Sequence, residues 1–292
     1  MSSIDEPAAA AQTPGPPPRE LRTVVVRGRP LRVAERRGDP AVPPLLLCNG
    51  IGASIEVLQP FVDALPTRRG VIRFDVPGVG GSPLSAWPYH FTTLVPLVAD
   101  LLDRLGHRRV DVLGISWGGG LAQQFALQRS PRCRSLVLVA TGTGSVMIPA
   151  RPRVLARMLT PRRHRDPGYA ARLAGEVYGG SMRRHPEQAA AHLHAHTRAG
   201  PGRGYLYQLL AGVGWTSLPL LPLLDQPALI LAGDDDPIVP LTNARIMHRL
   251  LRHSRLHVYH GGHLALATEA AELAPVVDGF LDSIGPSERR HP

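Results

Sequence analysis

The sequence predicts an α/β fold in which a mostly parallel, eight-stranded sheet is covered by helices on both faces. Short apolar runs alternate along the chain with stretches of helical periodicity, a pattern typical of strands that are buried on both sides. With 292 residues, of which 43% are hydrophobic, the chain can bury one large core or two small ones. No period of about 20–50 residues repeats, which argues against a solenoid.

The predicted strands follow from the apolar runs. Thr23–Val26 and Leu31–Ala34 lie close enough in sequence to form a hairpin. Six later runs complete the predicted sheet: Leu45–Cys48, Val71–Asp75, Val110–Gly114, Ser135–Val139, Ala228–Leu231 and Leu256–Tyr259. Helices are predicted at about 93–105, 118–128, 243–251 and 264–281.

An insertion divides the predicted core domain, which comprises residues 21–141 and 227–284. Residues 142–226 contain no clear strand but hold helical fragments with many arginines and histidines. We expect this insertion, called the lid segment below, to cover the carboxyl ends of the strands, where open α/β sheets bind ligands. Residues 1–20 form an Ala/Pro-rich stretch predicted to be a disordered tail, and residues 285–292 are predicted to fray.

The charge distribution and the first residues argue against several classes of function. The net charge is +10, but the basic residues are all arginines, scattered and not interleaved with aromatic side chains, so nucleic-acid binding is not expected. No apolar stretch approaches the roughly 20 residues of a membrane span. The first six residues lack the basic and apolar regions of a secretory signal, so the expected compartment is the cytoplasm.

Neither a disulfide framework, a metal site nor a cofactor is expected. The two cysteines, Cys48 and Cys133, are too few for a disulfide scaffold, and Cys48 lies in an apolar run that predicts a buried thiol. If the segment that holds His192, His194 and His196 is helical, only His192 and His196 share a face. No third metal ligand is evident beside them.

The segment Gly114–Gly118 reads G-x-S-x-G and lies between a predicted strand and a predicted helix. That context indicates the nucleophile elbow of the α/β-hydrolase fold, a sharp turn that raises a serine hydroxyl above the sheet edge. Ser116 is therefore the candidate nucleophile, and the backbone N–H of Trp117 is the first candidate oxyanion donor. The alternative is an ordinary Gly-rich turn between a strand and a helix.

In this fold the acid and the base follow the serine in that order, each after a late strand. Three consecutive aspartates follow the strand at 228–231. The superfamily pattern, G-x-x-D before an apolar pair and Pro, favours Asp236 as the acid, with Asp235 as second choice. His263, after Gly261 and Gly262, is the candidate base, and His260 is its rival.

The oxyanion hole needs a second backbone donor from the loop after the third strand. That loop begins at Asn49–Gly50, and Ile51 is the candidate donor. Because the donor is a main-chain group, the identity of its side chain does not decide its role.

The chain resembles the intracellular poly(3-hydroxyalkanoate) depolymerases, chiefly the medium-chain-length type. The resemblance extends from about Leu45 to Leu281 and rests on five stretches: Leu45–Ser54, Phe74–Ser82, Gly114–Ala126, Gly212–Ser217 and Leu231–Leu241. It implies a triad of Ser116, Asp236 and His263, and a storage polyester of 3-hydroxy acids as substrate. It also implies a cytoplasmic enzyme associated with the surface of a storage granule.

The lid segment carries aromatic residues that we interpret as part of the substrate pocket or of a surface facing the polyester, namely Tyr205, Tyr207 and Trp215. Packing of the lid on the core is the alternative. Two other functions stay open. One is a carboxylesterase or carbon–carbon bond hydrolase acting on small soluble substrates. The other is a non-catalytic granule-binding protein on the same scaffold.

Overall fold

The computed structural model describes residues 19–159, 162, 166–187 and 202–285. The histidine group at 192–196, residues 286–292 and all but two residues of the predicted tail lie outside them. Arg19 and Glu20, which the sequence placed in the tail, instead begin the first strand. They pair with Arg36 and Glu35 of the neighbouring strand, so the hairpin is longer than its apolar run indicates.

Eight strands form one sheet. They are β1 (Arg19–Val26), β2 (Arg29–Arg36), β3 (Leu45–Cys48), β4 (Val71–Phe74), β5 (Val110–Ile115), β6 (Cys133–Val139), β7 (Ala228–Gly233) and β8 (Ser254–Tyr259). Their order across the sheet is β1-β2-β4-β3-β5-β6-β7-β8. Only the β1–β2 and β2–β4 pairs are antiparallel. The prediction of a mostly parallel, eight-stranded sheet is confirmed.

The described helices are α1 (Gln59–Ala64), α2 (Phe91–Arg104), α3 (Trp117–Gln128), α4 (Pro152–Met158), α5 (Pro167–Tyr178), α6 (Gly180–Arg184), α7 (Gly202–Ala211), α8 (Leu241–Leu250), α9 (Ala265–Thr268) and α10 (Ala270–Asp282). The helix predicted at 264–281 is two helices, because Glu269 between them has non-helical dihedrals, with φ −125° and ψ 35°. Within the described ranges, every helix is too short or too polar to cross a bilayer.

The sheet separates two apolar layers, and each central strand contributes alternate residues to both. In β3, Leu46 and Cys48 face the layer that contains α2 and α3, whereas Leu45 and Leu47 face the layer that contains α1 and α10. This period of two in a continuously apolar strand is what a sheet covered on both faces requires. The central strands of the sheet, β3 to β7, are therefore buried on both faces.

The lid segment enters between β6 and β7. Its described residues form α4 to α7 and a 3₁₀ turn at Leu218–Leu223, with one isolated bridge between Gly144 and Thr216 and no strand. A small apolar cluster of Ala150, Val154, Ala174, Val177, Tyr178, Met182 and Ile238 joins the first three of these helices to the loop after β7. The lid segment thus packs on the carboxyl end of the sheet, beside the loops that carry the candidate acid and base.

Candidate active site

Ser116 occupies a sharp turn between β5 and α3, with φ 54° and ψ −121°. Backbone in this region is strained for any residue other than glycine and persists where neighbouring contacts hold it. Here the N–H of Ser116 donates to Val139 O at 2.9 Å, and its carbonyl accepts from Gly119 N–H and Thr141 Oγ1 at 2.9 and 2.7 Å. The turn is therefore fixed by both its backbone groups, as a nucleophile elbow is.

The glycines on either side of Ser116 leave no room for a side chain. A Cβ on Gly114 would lie 2.3 Å from the carbonyl oxygen of Gly118, and a Cβ on Gly118 would lie 2.0 Å from the carbonyl oxygen of Cys48. The second contact brings the start of α3 against the end of β3. The loop after β3 consequently lies beside Ser116, where an oxyanion donor is needed.

The three consecutive aspartates after β7 have three different partners. Asp236 Oδ2 accepts a hydrogen bond from His263 Nδ1 at 2.8 Å, whereas Asp235 Oδ2 accepts from the N–H of Gly180 at 2.8 Å. The exposed Asp234 contacts His260, the rival base, at 2.8 Å on the surface. Only Asp236 is directed at the candidate base, so the geometry separates the first choice of acid from the second.

Asp236 and His263 are both buried, and the carboxylate determines which tautomer the imidazole adopts. The other oxygen of Asp236, Oδ1, accepts the N–H groups of Ile238 and Val239 at 2.8 and 2.9 Å. A carboxylate only accepts, so His263 Nδ1 must donate to it. The unprotonated Nε2 is then the ring nitrogen left to accept a proton, the arrangement that general-base catalysis needs.

A cavity of about 570 Å³, including its open mouth, joins the candidate residues. Ser116, His263 and Ile51 all line it. The rest of the lining is largely apolar: Asn49, Gly50, Ala53, Val57, Leu58, Ile115, Met158, Tyr178, Ile238, Leu264 and Ala267. An apolar lining beside Ser116 suits an acyl chain whose carbonyl carbon lies at the serine hydroxyl.

The two candidate oxyanion donors have free N–H groups. In the part of the chain that the structure describes, neither the Ile51 N–H nor the Trp117 N–H has a hydrogen-bond partner. Gly50 adjoins the serine, since a Cβ there would lie 3.6 Å from Ser116 Cβ. The loop and the helix start thus offer two unpaired donors beside the hydroxyl, as stabilisation of an oxyanion requires.

Polar side chains that the sequence interpretation missed support the loop after β3. Asn49 Nδ2 donates to Ser54 O at 2.9 Å, and the buried Asp75 accepts the Ile55 N–H at 2.9 Å. Burial raises the pKa of Asp75, while hydrogen bonds from Gly81, Ile55 and Arg32 oppose that shift. Partners 5 and 20 residues apart give no spacing signal that would identify such supports from sequence.

The three aromatic residues predicted to line a substrate pocket do not line this cavity. Tyr205 and Trp215 are buried, with hydrogen bonds from Tyr205 Oη to Met158 O at 2.5 Å and from Trp215 Nε1 to Gln124 Oε1 at 2.6 Å. Tyr207 packs edge-on against Tyr89 with ring centroids 6.2 Å apart. The contacts of Trp215 and Tyr207 correspond to the alternative, packing of the lid on the core, whereas the hydrogen bond of Tyr205 lies within the lid. Met158 and Tyr178 are the lid residues that reach the cavity.

Cysteine chemistry does not account for the site. Cys48 and Cys133 are both free and buried, and burial raises the pKa of the Cys48 thiol to about 12. A protonated thiol is a poor nucleophile at neutral pH. Among the described residues, no group of three His, Cys, Asp or Glu side chains is arranged to hold a metal ion.

Comparison with known proteins identifies the family. The model of the α/β hydrolase fold family matches residues 43–270. The chain is 46% identical over 277 residues to the poly(3-hydroxyalkanoate) depolymerase of Ectopseudomonas oleovorans, covering 95% of this chain and 98% of that protein.

Two solved structures share the fold. A hydrolase from Pseudomonas aeruginosa PA01 has a TM-score of 0.76 at 24% identity, over 89% of this chain and 98% of its own. A thermophilic esterase from Thermogutta terrifontis has a TM-score of 0.77 at 21% identity, over 91% of this chain and 100% of its own. From the turn geometry, the sheet topology and these matches together, the chain belongs to the α/β-hydrolase family, in company with the poly(3-hydroxyalkanoate) depolymerase that it matches over nearly its whole length.

Proposed function

We propose that this chain is a serine ester hydrolase that depolymerises poly(3-hydroxyalkanoate) through an acyl-enzyme, with Ser116, His263 and Asp236 as its catalytic triad. One observation carries the triad assignment: the 2.8 Å contact between His263 Nδ1 and Asp236 Oδ2, in a cavity that His263 shares with Ser116. The 46% identity to a poly(3-hydroxyalkanoate) depolymerase supports the choice of substrate.

Acylation begins when Ser116 Oγ attacks the ester carbonyl carbon and its proton passes to His263 Nε2. The carbonyl oxygen becomes an oxyanion that the N–H groups of Ile51 and Trp117 stabilise. Asp236 stays ionised and stabilises the imidazolium through Nδ1. As the tetrahedral intermediate collapses, the C–O bond breaks, and His263 returns its proton to the leaving hydroxyl of the polyester chain.

Deacylation repeats these steps with water in place of the serine. His263 Nε2 removes a proton from a water molecule, which attacks the acyl carbon, and the new oxyanion occupies the same two donors. Collapse releases a 3-hydroxy acid, or an oligomer ending in one, and the proton on His263 restores the Ser116 hydroxyl. No atom or electron is required beyond water and the ester.

We further propose that the lid segment contacts the insoluble polymer. Leu155 on α4 and Leu159 directly after it are exposed, and Met158, which ends α4, lines the cavity. On α7 and just after it, Leu206, Leu210 and Val213 are also exposed. The hydrogen bond from Tyr205 to the Met158 carbonyl joins α7 to the end of α4, so these exposed apolar side chains lie on two connected helices, one of which reaches the cavity. This surface supports association with a storage granule in the cytoplasm.

A turnover assay with two kinds of substrate tests the function. Wild-type protein should release 3-hydroxy acids from a medium-chain poly(3-hydroxyalkanoate) suspension, and Ser116→Ala should release none while it keeps its circular dichroism spectrum. Activity on soluble p-nitrophenyl esters alone would instead support a small-ester carboxylesterase. Adsorption to the polymer without hydrolysis of either substrate would support a non-catalytic granule-binding protein.

A pair of surface variants tests the polymer-facing role of the lid. Leu210→Glu should reduce adsorption to the polyester and its hydrolysis, while hydrolysis of a soluble ester stays near the wild-type rate. The matched control is Leu21→Glu, because Leu21 is a similarly exposed leucine on the edge strand β1. Equal adsorption by the two variants would contradict the proposed contact surface.

A further inference from the structure

Gln208 links the lid to both sides of the proposed oxyanion hole. It lies on α7 and is 1% exposed, in a helix whose inward face also buries Gly204, Tyr205 and Ala211. Its side-chain oxygen accepts the N–H of Gly52 at 2.7 Å. Its backbone carbonyl accepts the indole Nε1–H of Trp117, also at 2.7 Å. One residue of the lid therefore bonds to Gly52, next to the first candidate donor, and to the indole of Trp117, the residue whose backbone carries the second.

The first of these bonds fixes the turn that presents the Ile51 N–H. The turn Gly50–Ala53 is closed by a bond of 3.2 Å from Ala53 N–H to Gly50 O, and Gly52 has φ +72°. Glycines precede and follow Ile51, so its peptide planes have unusual freedom to rotate. The bond from Gly52 N–H to Gln208 removes that freedom directly after the donor residue.

The second bond holds the residue that carries the other donor. The carbonyl of Gln208 belongs to the last turn of α7, where carbonyls lack helical partners. The N–H of Gly212, which a continued helix would direct at it, bonds to Leu209 O instead. The indole of Trp117 fills this position, and its ring packs against Phe91 with centroids 4.9 Å apart.

The opposite side of α7 is the exposed apolar surface of Leu206 and Leu210. At its start, the helix contacts the core so closely that a Cβ on Gly204 would lie 1.8 Å from the carbonyl oxygen of Gly78. The helix therefore lies between the surface proposed to contact polyester and the loop of the oxyanion hole. A shift of α7 would move both hydrogen bonds of Gln208.

We propose that Gln208 is a positioning residue for the oxyanion hole, which makes the geometry of the Ile51 and Trp117 donors depend on the seating of the lid helix. This inference rests on the proposed serine hydrolase function. Gln208 acts through Gly52 and Trp117 and does not itself touch the reacting atoms. Its loss should therefore weaken binding of the oxyanion while it leaves binding of the ground-state ester nearly unchanged.

Kinetics on a soluble p-nitrophenyl ester test this inference. Gln208→Met keeps the size of the side chain but removes the acceptor, and should lower kcat about tenfold or more with KM changed less than about twofold. The inhibition constant of an alkyl trifluoromethyl ketone, whose adduct with Ser116 carries the same oxyanion, should rise by a similar factor.

Gln226→Met is the matched control for loss of a buried glutamine. Gln226 lies just before β7, at the opposite end of the sheet, and donates to Ser130 Oγ at 2.8 Å. Its replacement should lower thermal stability but leave kcat and the ketone constant within about twofold of wild type. If Gln208 had only a structural role, Gln208→Met would behave like Gln226→Met, with lower thermal stability but an unchanged kcat and ketone inhibition constant.

The inference is overturned if folded Gln208→Met keeps both kcat and the ketone inhibition constant within twofold of wild type. It is also overturned if kcat falls while the affinity for the ketone does not. Should Gln208→Met fail to fold, Trp117→Phe removes the other hydrogen bond and keeps a smaller aromatic ring against Phe91, and the same two outcomes decide. Retained activity in Ser116→Ala would be a different failure, because it would remove the proposed function itself.

Discussion

The backbone N–H of His263 donates to the carbonyl oxygen of Tyr178 at 2.8 Å, so the candidate base is held by the lid segment as well as by Asp236. Tyr178 ends α5, and residues that follow it contact the loop of the acid and the helix after the base. Asp235 accepts the Gly180 N–H, and Ser181 lies 3.0 Å from Thr268 of α9, measured between the two hydroxyl oxygens. This corner of the lid thus packs directly on the loops that carry the candidate acid and the candidate base.

Gly179 and Gly180 should tolerate no side chain. Both have positive φ, which is +65° at Gly179. A Cβ on Gly179 would lie 1.9 Å from the carbonyl oxygen of Asp235. We expect Gly179→Ala to lower the free energy of unfolding by about 2–4 kcal/mol and to reduce kcat, because the acid and base loops must shift. Urea unfolding and a soluble-ester assay measure the two effects.

Gly28→Ala provides the control for Gly179→Ala. Gly28 has a similar φ of +71°, but nothing lies within 4 Å of its added Cβ. Gly28→Ala should lower the free energy of unfolding by about 1 kcal/mol, from backbone strain alone, and leave kcat unchanged. Equal losses of stability at the two glycines would show that the contact with Asp235 is unimportant.

Replacing Ser116 should separate stability from activity. Ser116→Gly relieves the strain of φ 54°, so it should unfold at higher urea concentration than Ser116→Ala, by about 1 kcal/mol in free energy. Both variants lack the hydroxyl and should be inactive. If Ser116→Gly is the less stable of the two, the turn is not strained as its dihedral angles indicate.

Asp236→Asn should lower kcat about a thousandfold to ten-thousandfold with little loss of stability. An amide can still accept from Ile238 and Val239, but its NH₂ opposite His263 Nδ1 favours the tautomer that protonates Nε2, which can no longer accept the serine proton. Asp235→Asn is the control, because Asp235 contacts Gly180 and Arg183 and not the imidazole. A larger loss in Asp235→Asn would reverse the assignment of the acid.

The two thiols should stay unreactive in the native protein. Burial raises the pKa of Cys48 to about 12 from its ordinary value of 9.0, so the thiol stays protonated at both pH 8 and pH 10. Burial raises the pKa of Cys133 as well. Labelling by iodoacetamide should be slow and nearly independent of pH in folded protein, and should accelerate between pH 8 and 10 in urea, where thiols ionise normally. Rapid native labelling that abolishes esterase activity would indicate a catalytic cysteine.

Local signals in the sequence predict the sheet well and point to the three triad candidates, because each signal depends on a few adjacent residues. Leu45–Cys48 has the same bounds as β3, and the turn at Gly114–Gly118 lies where its motif indicates. The choice of Asp236 over Asp235 agrees with the geometry, since the pattern around it places the N–H groups of Ile238 and Val239 on its carboxylate.

The lid was the part that sequence reasoning described least well. Aromatic residues there suggested a pocket, yet Tyr205 and Trp215 pack inward, and Met158 and Tyr178 reach the cavity instead. The bond between Gln208 and Gly52 joins residues 156 apart in sequence. Such contacts depend on how the lid helices are seated on the core, which neither periodicity nor local spacing specifies.

Peptide mass spectrometry after treatment with a fluorophosphonate tests the assignment of Ser116 as an activated nucleophile. We expect one adduct per chain, on the peptide that contains Ser116, with labelling that slows strongly in His263→Ala and Asp236→Asn. Absence of an adduct from folded wild-type protein, or an adduct on another residue with Ser116 unmodified, would contradict it.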